Sequence, residues 1–255
     1  MKHIQSRDNP LFKQLVKINE SARHRNGLAL LDGTHLLSAY LDSGGQAQQV
    51  IVHAAALQNP EVQQLLARLG DTPLVELDDA LYRQLSSVKT ASGILTLIQR
   101  PQLRARTSQF AVFLENIQDP GNLGSIIRSA AAAGCDALYL SAGCADAWSP
   151  KVLRAAMGGH FVLDIHEQQD LTALAAQFDG TLLASSLQAQ HALYDCNLHG
   201  SLALLFGNEG AGLSPALAVS ATQTFIIPMP GQVESLNVAA AAAVCLFEAV
   251  RQRRA

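Results

Sequence analysis

Three polar, glycine-rich segments of this sequence contain the residue types best suited to ligand chemistry. They are residues 115–128 (ENIQDPGNLGSIIR), 206–214 (FGNEGAGLS) and 227–238 (IPMPGQVESLNV). Each follows an apolar run that predicts a β-strand, and open α/β sheets bind ligands at the carboxyl ends of their strands. Glycines let the backbone approach a ligand closely, and the helices after the first and third segments begin with free N–H groups. We therefore expect the three segments to line one pocket.

Several common catalytic and metal-binding motifs are missing from the sequence. It has no GxxxxGK[ST] phosphate loop, no complete GxGxxG dinucleotide fingerprint, no GxSxG nucleophile elbow and no HExxH. Four cysteines occur without a CxxC pair, and the eight histidines are dispersed. We expect reduced thiols, no disulfide framework and no metal site.

The second half of the chain alternates between strand and helix patterns. Continuous apolar runs predict strands, and helical spacing predicts intervening helices. The runs argue for a parallel sheet covered on both faces, so the predicted class is α/β. The strands are predicted at 110–114, 137–140, 180–184, 202–206 and 224–227, and the helices at about 123–133, 150–157 and 236–253.

The first half predicts a smaller α/β domain. A proline and three arginines in residues 100–107 (RPQLRART) indicate an exposed connection between two strands. We therefore divide the chain into domains 1–106 and 107–255. Helices are predicted at 9–18, 35–41 and 60–69, and strands at 28–31, 49–52 and 93–98.

The overall charge hides a difference between these domains. The 255 residues carry a formal net charge of −3, which by itself argues against a nucleic-acid binder. Residues 1–106 hold 12 Lys and Arg against 9 Asp and Glu, whereas residues 107–255 hold 6 against 12. The basic residues near the N-terminus fit a solvated helix face or a surface that contacts phosphate. They are Lys2, Arg7, Lys13, Lys17, Arg23 and Arg25.

Targeting and membrane signals are also missing from the sequence. The first eight residues lack the apolar core of a secretory signal. The longest apolar run, residues 238–247, is about half of the ~20 residues that cross a bilayer. We expect a cytoplasmic protein with no membrane segment.

The three glycine-rich segments, in this order, resemble the signature motifs of the SpoU/TrmH family of RNA ribose 2′-O-methyltransferases, within the SPOUT superfamily. The first motif matches at Asn116, Pro120, Asn122, Gly124 and Arg128; the second at Gly207, Glu209, Gly210, Gly212 and Leu213; the third at residues 227–229 and 235–238. Residues 1–106 resemble the family's accessory substrate-binding domain at 29–33 and 86–95, with Asp32 where relatives usually have Glu. The resemblance implies a small α/β RNA-binding domain that is similar to a fold found in some ribosomal proteins.

The resemblance implies a C-terminal SPOUT domain with a deep trefoil knot, and S-adenosylmethionine bound in that knot. Backbone groups of Gly207, Ile227 and Leu236 would contact the cofactor, with Ser185 nearby. The family is dimeric, so a homodimer through the C-terminal domain is expected. The Ala-rich last helix suits such an interface, and a buried core helix suits the sequence equally.

The implied activity is methyl transfer from S-adenosylmethionine to a ribose 2′-hydroxyl, with ribosomal RNA as first choice of substrate and tRNA as second. A non-catalytic RNA-binding or ribosome assembly factor that retains the fold is the alternative. The catalytic residues implied by the family are Arg128, Asn122, Glu209, Ser235 and Asn237. Arg128 would stabilise the developing alkoxide or bind the adjacent phosphate, since a guanidinium normally stays protonated.

Structural interpretations of four of these residues stay open at the level of sequence. Asn122 is also placed to cap the helix after the first segment, and Ser235 or Asn237 to cap the last helix. Glu209 either meets the substrate or binds backbone N–H groups that hold its own loop.

Overall fold

The computed structural model describes residues 1–20, 26–86, 88, 92–104 and 108–254. Arg23 and Arg25 of the basic set lie outside the described residues, as do Ser87 and residues 89–91 of the family-like segment. So do residues 105–107, which contain the predicted domain boundary.

The described chain forms two compact units. The first contains Met1–Gln102 and Trp148–Phe161, and the second contains Leu103–Ala147 and Val162–Ala255. Residues 148–161, which sequence analysis assigned to the C-terminal domain, therefore pack with the first unit. The tertiary contacts behind this grouping include an edge-to-face pair between Tyr40 and Phe161, with ring centroids 5.1 Å apart.

The first unit is built on a five-stranded mixed sheet. Its order is β1-β4-β3-β5-β2, with β1, β4 and β3 parallel and β5 antiparallel to both β3 and β2. The strands are β1 (Lys2–Ile4), β2 (Leu28–Asp32), β3 (Ala47–His53), β4 (Leu74–Leu77) and β5 (Ile94–Gln99); the helices are α1 (Pro10–Glu20), α2 (Thr34–Asp42), α3 (Pro60–Arg68), α4 (Asp79–Leu85) and, after α5 of the second unit, α6 (Pro150–Ala156).

Helices of this unit bury apolar stripes on both faces of its sheet. Phe12, Leu15 and Ile18, spaced three residues apart along α1, pack with Leu30 and Ile51 in one core cluster. Leu37 of α2 and Val62 and Leu65 of α3 pack against Val50 and Val52 in a second cluster. These two clusters confirm the predicted small α/β fold.

The second unit is built on a six-stranded sheet with the order β11-β9-β10-β6-β7-β8, in which every paired strand is parallel. The strands are β6 (Phe110–Leu114), β7 (Ala137–Leu140), β8 (Asp164–His166), β9 (Thr181–Ser185), β10 (Leu202–Phe206) and β11 (Gln223–Phe225); the helices are α5 (Pro120–Ala132), α7 (Leu171–Gln177), α8 (Pro215–Val219) and α9 (Val238–Arg254). Every residue of β6 and β10 is buried. The predicted parallel sheet is confirmed.

Several predicted element bounds differ from the structure by one residue or more, and two of these differences have a clear physical reason. The strand predicted at 224–227 ends at Phe225, because the N–H of Ile226 donates to the carbonyl of His191 instead of continuing the pairing with β9. Helix α5 starts at Pro120, not near Leu123, because proline fits the first helical turn and Asp119 caps it.

The longest described helix, α9, has 17 residues. Among the described residues no helix combines the length and the apolar character that a membrane span requires.

Candidate functional site

Two of the glycine-rich segments begin side by side at the carboxyl edge of the second unit's sheet. Strands β6 and β10 are paired in register up to Leu114 and Phe206. The N–H of Glu115 then donates to the carbonyl of Phe206 over 2.9 Å, so the two loops leave the sheet together. Their side chains are therefore brought within reach of each other despite about 90 residues of intervening chain.

A cavity of about 470 Å³ lies at this edge. The second and third segments line it, together with the chain after β9. All four predicted cofactor residues, Ser185, Gly207, Ile227 and Leu236, are in its wall, and so are the predicted catalytic residues Glu209 and Ser235. Gln188 and Thr224 line it without having been predicted.

The expectation of a single pocket lined by all three segments is only partly met. Residues 115–128, all of them described, contribute nothing to the wall of the cavity. The first segment instead reaches the site through hydrogen bonds from Asn122.

Asn122, Glu209 and Asn237 form a hydrogen-bonded chain that joins the three segments. Asn122 Nδ2 donates to Glu209 Oε1 over 2.7 Å, and Asn237 Nδ2 donates to Asn122 Oδ1 over 2.9 Å. Asn237 Oδ1 in turn accepts from the N–H groups of Ala239 and Ala240 at the start of α9.

The direction of this chain follows from its helical end. The N–H groups of α9 require an acceptor, so the oxygen of the Asn237 amide must face the helix and its nitrogen must face Asn122. The amide of Asn122 is then oriented in turn, and it directs its nitrogen at Glu209. We infer that the free N–H groups at the start of α9 determine that the amide nitrogen of Asn122, and not its oxygen, faces Glu209.

This geometry decides the capping alternatives. Asn122 does not cap α5, because its own backbone N–H donates to Asp119 Oδ1 over 2.8 Å and Asp119 is the N-cap. Asn237 both caps α9 and joins the amide chain, whereas Ser235 lies two residues before it and is exposed. The capping interpretation therefore holds for Asn237 and is wrong for Asn122 and Ser235.

The loop that carries Glu209 is held closed by its neighbour Asn208. Asn208 Oδ1 accepts from the N–H groups of Gly210 and Ala211, and the backbones of Asn208 and Gly212 bond to each other in both directions. A Cβ at Gly207 would lie 2.1 Å from the carbonyl carbon of Gly212, so this close approach requires glycine. Asn208 accepts from the N–H groups of Gly210, Ala211 and Gly212, whereas Glu209 accepts from the side chain of Asn122. The interpretation of Glu209 as the acceptor of its own loop's N–H groups is therefore wrong.

Arg128 lies six residues after Asn122 on α5, about 9 Å further along the helix axis. Its side chain is exposed, and it makes no hydrogen bond or ion pair with any residue that the structure describes. The guanidinium is therefore available to an anionic group from outside the chain.

The cysteines of the described residues lie outside the wall of this cavity. All four cysteines are free, and burial raises the pKa of the Cys135 and Cys245 thiols far above its ordinary value. Within the described ranges no group of three His, Cys, Asp or Glu side chains is arranged to hold a metal ion.

Sequence reasoning missed two polar residues of the site, Glu115 and Asn208. Each is the first or second residue after a buried strand, which is the position where ligand-site residues of parallel sheets occur. Both residues lie within the segments that the sequence predicted as ligand-binding, 115–128 and 206–214, but neither was assigned a role of its own.

Comparison with known proteins finds a matching family model for each half of the chain. The model of the SpoU rRNA Methylase family matches residues 109–247, and that of the MRM3-like substrate binding domain matches residues 9–96. An uncharacterized tRNA/rRNA methyltransferase of Synechocystis is 36% identical over 98% of this chain and 94% of its own length.

Two further relatives have more specific names. The 23S rRNA guanosine 2′-O-methyltransferase RlmP of Bacillus subtilis is 31% identical over 97% of this chain and 98% of its own. The crystal structure of the SpoU methyltransferase AviRb from Streptomyces viridochromogenes, in complex with AdoMet, superposes with a TM-score of 0.87 at 27% identity, over 97% of this chain and 99% of that one. This chain belongs to the SpoU rRNA methylase family.

Proposed function

We propose that this protein transfers a methyl group from S-adenosylmethionine to a ribose 2′-hydroxyl of ribosomal RNA. The observation that supports this most directly is the chain from Asn237 through Asn122 to Glu209, which borders the cavity at the carboxyl edge of the sheet. RlmP is named as a 23S rRNA methyltransferase, and AviRb was crystallised with the methyl donor.

The cavity suits the proposed donor in size and in lining. Its volume of about 470 Å³ falls within the ~300–1,000 Å³ typical of small-molecule sites. Ile227 and Leu236 offer apolar surface, Ser185 offers a hydroxyl, and Gly207 leaves backbone groups accessible. S-adenosylmethionine, when bound, supplies a methyl group on a positively charged sulfur that is readily displaced.

The residues around the cavity have to position the ribose oxygen and stabilise the charge that develops on it. Arg128 stabilises the developing alkoxide or binds the adjacent phosphate through its planar fork, and the hydroxyl proton leaves to solvent or phosphate. This role requires a guanidinium that no other protein group occupies, which is its state among the described residues.

Glu209 acts on the substrate side of the cavity. One carboxylate oxygen accepts from Asn122, and the second makes no hydrogen bond within the described part of the chain. We assign that second oxygen, with the exposed hydroxyl of Ser235, to hydrogen bonding with the RNA ribose. Asn122 and Asn237 orient Glu209.

Methyl transfer to separate rRNA and tRNA fractions, followed with a labelled donor, tests this function. The wild-type protein should label rRNA, and Arg128→Lys should retain donor affinity while transfer falls by roughly 10- to 100-fold, because lysine keeps the charge and loses the fork. Labelling of tRNA alone would identify tRNA, and not rRNA, as the substrate. Donor binding by calorimetry with no transfer to either pool would favour the non-catalytic RNA-binding factor.

The domain 1–106 is proposed to bind the RNA. A substrate-binding family model matches residues 9–96, and Lys17 on α1 is exposed and forms no ion pair with a described residue. Affinity for rRNA should fall as salt rises, and Lys17→Glu in the full chain should weaken binding without changing affinity for the donor. Unchanged RNA affinity in that variant would show that α1 is not part of the RNA-binding surface.

Three further properties of the family are extended to this chain as proposals. The third segment and α9, which contact α5 through the bond between Asn237 and Asn122, would pass through a loop to form the trefoil knot of the family. The exposed Phe247 on α9 suits a homodimer interface in the C-terminal domain. A substrate in the ribosome and the free cysteines fit a cytoplasmic location.

A further inference from the structure

The loop that carries Glu209 is tied at its far end to the carboxylate of Glu115. Glu115 Oε2 accepts from the N–H of Ser214 over 2.6 Å, and Glu115 Oε1 accepts from the Ser214 hydroxyl over 2.8 Å. Both residues are half-buried. Hydrogen bonds to a charged acceptor are shorter and about twice as strong as neutral ones, so this contact is a firm anchor for the end of the loop.

The near end of the same loop is tied to the residue that follows Glu115. Asn208 Nδ2 donates to the carbonyl of Asn116 over 3.0 Å. The tip of the loop is bonded to Asn122 through Glu209. One short stretch of chain, from Glu115 to Asn122, therefore holds the start, the tip and the end of the loop.

Helix α8, which starts after Ser214, does not require the Glu115 carboxylate. The Ser214 hydroxyl already accepts from the N–H of Leu217 and is the N-cap of that helix. Glu115 adds a second, charged partner to a residue that is already a competent cap. The contact therefore serves the loop before Ser214 more than the helix after it.

We propose that Glu115 is a positioning residue for methyl transfer, which keeps the 207–214 loop closed so that Glu209 stays aimed at the substrate. This inference rests on the proposed function, because Glu209 acts on a substrate only if the protein is a methyltransferase. Glu115 itself contacts neither donor nor RNA in this proposal. A misplacement of about 1 Å at a reacting group lowers rates by roughly 100-fold, so a released loop has a measurable effect.

Steady-state transfer to rRNA by full-length variants tests the proposal. Glu115→Ala should lower kcat by roughly 10- to 100-fold. Glu115→Gln should recover to within about threefold of wild type, because its amide keeps an acceptor for the Ser214 N–H and a donor for the Ser214 hydroxyl oxygen. Asp170→Ala is the matched control, since Asp170 is a carboxylate that caps α7 through the N–H of Ala173 over 3.0 Å, away from the cavity wall. It should lower the Tm and keep kcat.

A double variant separates positioning from general destabilisation. If Glu115 acts through Glu209, then adding Glu115→Ala to Glu209→Gln should change kcat by less than about twofold. Multiplied losses, or a Gln variant as slow as the Ala variant, would overturn the proposal.

Hydrogen exchange keeps this test independent of the proposed function. Amides of residues 208–214 should exchange faster in Glu115→Ala than in wild type and should be unchanged in Asp170→Ala. A wild-type protein without transfer activity refutes the proposed function. The exchange result then still decides whether Glu115 holds the loop, and unchanged exchange in Glu115→Ala would mean that it does not.

Discussion

Asn237 both caps α9 and donates a hydrogen bond to Asn122. Asn237→Asp separates these two functions, because aspartate keeps the first and loses the second. An aspartate oxygen still accepts from the N–H groups of Ala239 and Ala240, so the cap of α9 is preserved. It has no N–H to donate to Asn122 Oδ1, which lies 2.9 Å from the amide nitrogen it replaces. The hydrogen-bonded chain from Asn237 through Asn122 to Glu209 is therefore broken, while α9 keeps its N-cap.

The size of the effect follows from the two contacts of Asn122. In its present orientation Asn122 would direct an oxygen at the new carboxylate. Turning its amide restores that bond but directs the oxygen at Glu209 Oε1, where the nitrogen now donates over 2.7 Å. One contact between two acceptors remains either way. A lost hydrogen bond to a charged group is worth about 1.5–3 kcal/mol, which lowers transfer by roughly 10- to 150-fold if it is felt in the transition state.

The assay combines labelled methyl transfer to rRNA with thermal unfolding. Asn237→Asp should keep its Tm within about 2 °C, because aspartate and asparagine cap helices equally well, a negative charge is favourable at a helix N-terminus, and solvent can replace the lost bond at the exposed Asn237 in the resting protein. Asn59→Asp is the matched control. Asn59 caps α3 by accepting from the N–H of Glu61 over 2.9 Å and belongs to the other unit, so it should keep both transfer and Tm.

Two results would refute this reasoning. Near-normal transfer by a folded Asn237→Asp variant would show that the amide chain does not orient Glu209. A large drop in Tm for Asn237→Asp, matched by no drop for Asn59→Asp, would show that the bond to Asn122 acts on stability and that the loss of transfer reflects unfolding.

Three further outcomes are expected. Gly207→Ala should abolish donor binding measured by calorimetry, because its Cβ would meet the backbone of the same loop at 2.1 Å; retained affinity would contradict this close approach. Hydrogen bonding to the arginine one turn later holds the pKa of Glu248 at about 2, well below 4.5, so its stabilisation is present above pH 4.5 and is lost as the pH falls towards 2. Urea unfolding should therefore show wild type about 1 kcal/mol more stable than Glu248→Gln at pH 7, and the gap should close in acid; a constant gap would count against the ion pair. Burial raises the pKa of Cys135 and Cys245, so both should react with a thiol reagent at pH 8 only on unfolding, and rapid labelling of the native protein would be inconsistent with their burial.

The local pattern of apolar residues was sufficient to predict the bounds of strands that are buried along their whole length. Strands β6 and β10 were predicted with their observed bounds, because every residue of each is apolar and the flanking residues are polar or glycine. Strands of three residues, such as β1 and β8, leave too little pattern to recognise. Their positions depend on neighbouring strands that supply the hydrogen bonds.

Capping was harder to predict, because several polar residues compete within one turn. Asp119 and Asn122 both stand near the start of α5, and both residue types cap helices well. Asp119 is the cap because Pro120 follows it and begins the helix. The spacing alone did not distinguish them.

The sequence by itself determined the class of the fold, the three glycine-rich segments and the side chains that they carry. Tertiary structure alone decided how those side chains are connected. Asn122 and Asn237 are 115 positions apart, and Glu115 and Ser214 are 99 apart. Their contacts follow from the order β11-β9-β10-β6, which places distant strand ends at one edge of the sheet. Local periodicity records which residues are buried but not which strands become neighbours, so these contacts had to be read from the folded chain.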